Sequence, residues 1–233
     1  MATMSPRRAR ALLGQSGGDH ARALRDHLVA VTRAIVAEHG VARITTRAIA
    51  QRAQVADGVL YNHFHDKDEL ILAALADSYD ELAGILTAAP AGGPPEPGTG
   101  SVVDNLVALC VAVNEFYAGM IPVIMGLTGR PELLRRFLTE IHAKDSAVVH
   151  HHQAVRAYLV GEADLGRIDA GIDPDSAIEM LSGVCHTRAF ARHVAGLGGL
   201  PGRPDGPAAD GTPPMSGDDR RAIEAAVRTL LRA

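Results

Sequence analysis

The stretch ITTRAIAQRAQVADGVLYNHFHDKDEL, Ile44 to Leu70, decides the reading of the whole chain. Ile49, Ala50, Ala53, Val55 and Leu60 are small or apolar at the places where two short crossing helices must touch, and the pattern breaks near Gln54. The stretch predicts two short helices joined by a tight turn. Asp66-Lys67-Asp68-Glu69 then has capping-box spacing, Asp66 to Glu69, and opens a longer helix running from Lys67 to about Leu86. Upstream, Leu24, Leu28, Val31 and Ile35 recur at helical spacing. Asp19 is placed to cap the start of that helix and Gly40 to stop its end.

A second short helix of this size fits the B-DNA major groove, which is about 12 Å wide, with its first residues facing base edges. Thr45, Arg47, Ile49, Ala50, Ala53, Val55, Gly58, Leu60, Tyr61, His63, Phe64, Lys67 and Leu70 stand at a fixed spacing. In these residues the segment resembles the TetR family of bacterial transcription regulators, over residues 20–75. The turn of that family has Gly, and here it is Gln54, which must take a left-handed backbone or change the turn. The cap of its second helix is Ser or Thr, and here it is Ala56. Either Asp57 takes over the cap, or the helix start is weaker by about 1 kcal/mol.

The resemblance, with side-chain chemistry, implies a DNA-binding set of Thr46, Arg47, Asp57, Gly58, Val59, Tyr61, Asn62, His63 and Lys67. Arg47 is expected to reach a guanine edge or a phosphate. Gly58 lets the backbone approach, and Val59 faces a thymine methyl. Tyr61 and His63 suit phosphates, which position the helix without reading sequence. Lys67 suits a phosphate at its helix N-terminus. Phe64 is expected in the core.

Charge agrees with this division. Residues 1–70 hold 10 Lys/Arg against 7 Asp/Glu, whereas residues 71–233 hold 13 against 20. A basic N-terminal piece on an acidic body suits a phosphate-binding surface. Two cysteines among 233 residues make no disulfide framework, so a reduced, cytoplasmic chain is expected. No apolar run reaches the roughly 18 residues needed to span a bilayer, so no membrane partner is expected.

The class expected is all-α, with no strand signal. Residues 1–18 read as a disordered basic arm and 19–66 as a three-helix, helix-turn-helix DNA-binding domain. Residues 67–233 read as a larger helical ligand-binding and dimerisation domain. Pro122 near Gly119 predicts a boundary or kink, and Pro131 the first turn of another helix. Residues 89–100 and 196–217, rich in Gly and Pro, read as loops.

Asn114, Tyr117, Met120, Met125, His142 and Arg188 are polar or adaptable residues among apolar helices and form the candidate pocket. The breaks at 119–122 and 129–131 are expected to bend helices around a mostly apolar space. Ser182 and Gly183, with the stripe Ile223, Val227 and Leu230 of the last helix, form the candidate dimer interface. Consecutive His150, His151 and His152 point about 100° apart on a helix, so no metal site is expected there. No nucleotide, cofactor or nucleophile motif occurs, so the chain is read as no enzyme. By resemblance it is a homodimeric repressor released from double-stranded operator DNA by a small organic effector.

Overall fold

The computed structural model describes residues 18–41, 44–88, 93–141, 147–196 and 214–232. The expected basic arm, apart from Gly18, and the candidate pocket residue His142 lie outside these. The described residues are helical, with no strand among them. In chain order they form α1 (Gly18–His39), α2 (Thr46–Ala53), a 3-10 helix (Asp57–Asn62), α3 (Lys67–Ala88) and α4 (Val102–Leu127). α5 (Pro131–Ile141), α6 (Ala147–Asp164), α7 (Pro174–Gly196) and α8 (Gly217–Leu230) follow.

Helix ends follow local chemistry. Gly40 stops α1 at φ +72°, its N–H donating to Val36 O at 2.8 Å. Asp19 lies inside the first turn of α1 rather than before it. Asp173 caps α7 by accepting from Ser176 N–H at 2.9 Å, and the Ser176 side chain, with that N–H, holds its carboxyl below the usual carboxylate range. Ser216 and Asp219 close a reciprocal capping box at α8.

Contacts divide the chain into two compact units, Met1–Tyr79 with Val123–Ile141, and Asp80–Pro122 with His142–Ala233. The division differs from the expected boundary after Asp66, because the first turns of α3 bury Leu70, Ile71, Ala74 and Leu75 within the first unit. In the second unit Leu106, Leu109 and Cys110 of α4 pack with Val155, Tyr158 and Leu159 of α6. Ala177, Leu181 and Cys185 of α7 and Ile223, Val227 and Leu230 of α8 complete that core.

α4 departs from the sequence reading in two ways. It runs through Pro122 without a boundary. Gly119 serves packing, since a Cβ there would collide with Leu82 of α3. By length and composition α4 is also apolar enough to cross a membrane, contrary to the reading from continuous runs, and half of its most apolar window is buried in the protein. Asp104, Asn114 and Glu115 interrupt the apolar sequence, which is why no continuous run shows it.

Proline-glycine residues 93–101 are fastened to the end of α6. The Gly98 N–H donates to Oε1 of Glu162 at 3.1 Å, and Glu162 is fully buried. Arg167 pairs with the other carboxylate oxygen at 3.3 Å and donates to Gly100 O at 2.5 Å. Asn105 Nδ2 donates to Thr99 O at 2.9 Å and to the Tyr158 hydroxyl at 3.0 Å. Pro97 rests on Gly161, where a Cβ would come within 2.5 Å of its ring.

Candidate nucleic-acid interface

The helix-turn-helix is built on α1. Leu24, Leu28 and Ile35 are buried in the same unit as Ile49, Ala50, Ala53, Leu60 and Phe64. Val31, third in the predicted stripe, is only half-buried. His27 Nε2 lies 3.2 Å from Ala53 O, and the Arg25 guanidinium sits 4.8 Å above the Phe64 ring. Arg52 of α2 makes a two-pronged ion pair with Glu38 of α1, which raises the guanidinium and lowers the carboxyl. Neither the Arg25 nor the Arg52 contact was read from the sequence. In each pair one partner, Arg25 or Glu38, lies one helix away from the motif and leaves no periodic signal.

Thr45 caps α2, its Oγ1 accepting from Ala48 N–H at 3.1 Å. The helix ends at Gln54, which adopts φ 59° and ψ 40°. Gln54 thus takes the left-handed place that glycine usually fills, at a local cost of about 1–2 kcal/mol. The Val55 N–H donates back to Ala50 O at 3.0 Å and closes the turn.

The second helix of the motif is a single 3-10 segment. Ala56 occupies its cap with extended backbone and no side-chain bond, and Asp57 lies in the first turn. Asp57 therefore does not replace the missing hydroxyl. Leu60 and Phe64 bury below the segment at 2% and 3% exposure, with Phe64 N–H donating to Leu60 O at 3.0 Å.

Of the predicted DNA-binding set, Arg47, Asp57, Gly58, Tyr61 and Asn62 are exposed, and Thr46, Val59, His63 and Lys67 are half-buried. Tyr61 keeps 60% of its surface, unusual for an aromatic ring beside a buried core. Lys67 Nζ donates to Ile44 O at 3.2 Å, which ties the start of α3 to the entry of α2. Asp66 accepts from Glu69 N–H at 2.7 Å, and Glu69 accepts from His65 N–H at 2.6 Å. The predicted capping pair is present, with the return bond one residue earlier than in the usual box.

The second unit carries an open groove of about 710 Å³ between α6 and α7. Tyr117, Val149 and Ile178 supply apolar surface, while His152, Gln153, the Arg156–Asp175 pair, Glu179 and His186 line it with polar groups. Tyr117 meets His186 edge-on at 5.2 Å, and burial pushes its hydroxyl above the usual tyrosine range. A narrow void of about 30 Å³ shares His152, Ile178 and Ser182 with the groove and reaches Cys110 and Cys185.

Among the described candidate pocket residues, only Tyr117 lines this groove. Asn114 is fully buried, donating to Cys185 O at 2.7 Å and accepting from Arg192 at 2.7 Å. Met120 is buried, while Met125, on the α4 segment of the first unit, and Arg188 are exposed, and none of the three is among the groove's lining residues. The three consecutive histidines diverge: His150 is exposed, His151 buried and His152 on the groove.

The dimer candidates also separate. Ile223, Val227 and Leu230 are consumed by the core of their own chain, because the apolar stripe of α8 packs inward. Ser182 and Gly183 line the groove. The apolar surface left open on α7 is Met180, Phe190 and Val194, at 60%, 41% and 42% exposure.

Residues 28–74 match the family model described as bacterial regulatory proteins, tetR family. An uncharacterized HTH-type transcriptional regulator of Mycobacterium bovis is 26% identical over 161 residues, 67% of this chain and 71% of that protein. The HTH-type transcriptional repressor KstR of Mycolicibacterium smegmatis is 36% identical over 88 residues, 36% of this chain and 43% of that one. The fold is similar to that of the transcriptional regulator FadR from Bacillus subtilis, solved in complex with stearoyl-CoA. That likeness has a TM-score of 0.54 at 14% identity, over 88% of this chain and 97% of the other. The motif at 44–70 and the match over residues 28–74 agree: the chain carries the DNA-binding domain of the tetR family of bacterial regulatory proteins and is a DNA-binding transcription regulator.

Proposed function

We propose that the chain is a repressor that binds operator DNA as a homodimer and leaves it when a small organic molecule occupies the groove between α6 and α7. The observation that carries the DNA half is the two-sided short helix at 57–62. Leu60 is held in the core, while Asp57, Gly58, Tyr61 and Asn62 face outward beside the exposed Arg47. Such a face meets base edges with 57–59 and phosphates with Tyr61 and His63. Lys67 meets a phosphate with the N–H bonds that its contact with Ile44 leaves over. The name of KstR supports repression as the direction of control.

Two copies of α7, joined through Met180, Phe190 and Val194, set the spacing between the two recognition segments. A groove of this size holds a drug-sized molecule, and its mixed lining suits an apolar body with a polar end. That FadR is seen with stearoyl-CoA supports ligand binding in this helical architecture. The molecule must favour the conformation that does not fit the operator, since equal affinity for both shifts nothing.

The test begins with selection of the operator from random DNA, read by fluorescence anisotropy. A thermal-shift screen with and without that operator follows. A compound that stabilises the free protein and releases the DNA supports the reading. Absence of any preferred sequence overturns the DNA half. A hit whose effect survives Gly183→Trp, which fills the groove, moves the effector elsewhere.

A further inference from the structure

We propose that Cys110 and Cys185 are a modification site: a buried dithiol that closes to one intrachain disulfide between α4 and α7 when a hydroperoxide enters through the groove. Both thiols are free and buried. They stand 75 residues apart in sequence, yet the Cys185 thiol donates to Cys110 O at 3.2 Å. From the other side Asn114 of α4 reaches Cys185 O at 2.7 Å. One short side chain from each helix therefore touches the facing main chain, a separation that two Cβ–Sγ arms can bridge.

The site is also reachable. Both cysteines line the void of about 30 Å³, which has room for one or two water-sized molecules, and that void shares residues with the open groove. Hydrogen peroxide is scarcely larger than water and uncharged. The chemistry balances with peroxide alone. One sulfur takes an oxygen as the O–O bond breaks, releasing water and leaving a sulfenic acid. The second sulfur displaces that hydroxyl, and the S–S bond forms with a second water released. Two thiols lose two electrons and two protons, and one peroxide is reduced.

The adjoining Cys110 side chain and burial both push the Cys185 thiol up, so it rests as the protonated, slow form. Oxidation is accordingly slow, and the pair answers sustained oxidant rather than a brief pulse. The same bond fixes the helix that carries Ile178, Ser182, Gly183 and His186, so it locks one wall of the groove.

The experiment treats the folded, reduced chain with hydrogen peroxide and follows intact mass. The expected result is loss of two hydrogens, reversed by dithiothreitol, with a non-reducing peptide map joining the Cys110 and Cys185 peptides of one chain. Two thiols still open to alkylation after unfolding overturn the proposal. So does oxygen retained on either sulfur, or a link between two chains. The unsubstituted protein gives the answer, so no cysteine variant has to fold. The outcome is independent of operator binding, which fails or stands by its own assay.

Discussion

Gly161 lies within α6, where alanine ordinarily raises helix stability by about 1 kcal/mol. Here the expected sign is the opposite. The added Cβ would stand 2.5 Å from Pro97 Cγ and 2.8 Å from its Cβ. A proline ring cannot rotate aside, so the 93–101 segment must lift. Overpacking of this kind costs about 1–3 kcal/mol. Lifting the segment also stretches the Gly98 bond to buried Glu162, and an unmet buried partner costs about 1–3 kcal/mol more. After the helical gain is subtracted, the net loss is about 3 kcal/mol, or a melting midpoint lower by about 6–12 °C. Circular dichroism melts of Gly161→Ala against the unsubstituted chain measure it directly. A midpoint raised by about 2–4 °C would mean that propensity governs and that Pro97 does not bear on α6.

Leu230→Asp puts a charge into the core of the second unit and should lower stability by several kcal/mol instead of yielding a folded monomer. Phe190→Glu, on the open face of α7, should keep its melting midpoint and run as a monomer in sizing chromatography. Arg47→Ala should change preference at particular operator base pairs by about 1–3 kcal/mol, while Tyr61→Phe should weaken all sequences alike, both read by anisotropy. Burial, with the neighbouring His152, holds His151 below the usual imidazole range of 6.5. The unfolded chain therefore takes up that proton first, so stability is full above about pH 7 and declines as pH falls through 6.5 toward the folded value. Urea melts of His151→Leu across that window should show a shallower decline.

The helix-turn-helix was legible because its constraints are local. Ile49, Ala53 and Leu60 bury at a spacing set by two crossing helices, and Gln54 advertised its left-handed backbone by standing where glycine is usual. The groove was not legible. Its lining comes from α4, α6 and α7, and a polar residue such as Asn114 reads alike whether it faces a ligand or Arg192. The last stripe was read as an interface and its residues lie in the core of their own chain, since periodicity shows which face is buried and not by whom. Residues 93–101 read as a loop, and their fastening depends on Glu162 and Arg167, more than sixty residues away.

The six-residue segment Asp57–Asn62 separates two kinds of inheritance. Leu60 and Phe64 fix its position, and the residues facing outward, Asp57, Gly58, Tyr61 and Asn62, contribute little to holding the fold. Substitutions among the outward residues are therefore nearly neutral for folding, and under the proposed DNA-binding role they change what the surface recognises. A duplicated copy of this gene could drift to a new operator in a few steps, each viable as a folded protein. Drift at Leu60 or Phe64 would remove the platform before any new specificity arose.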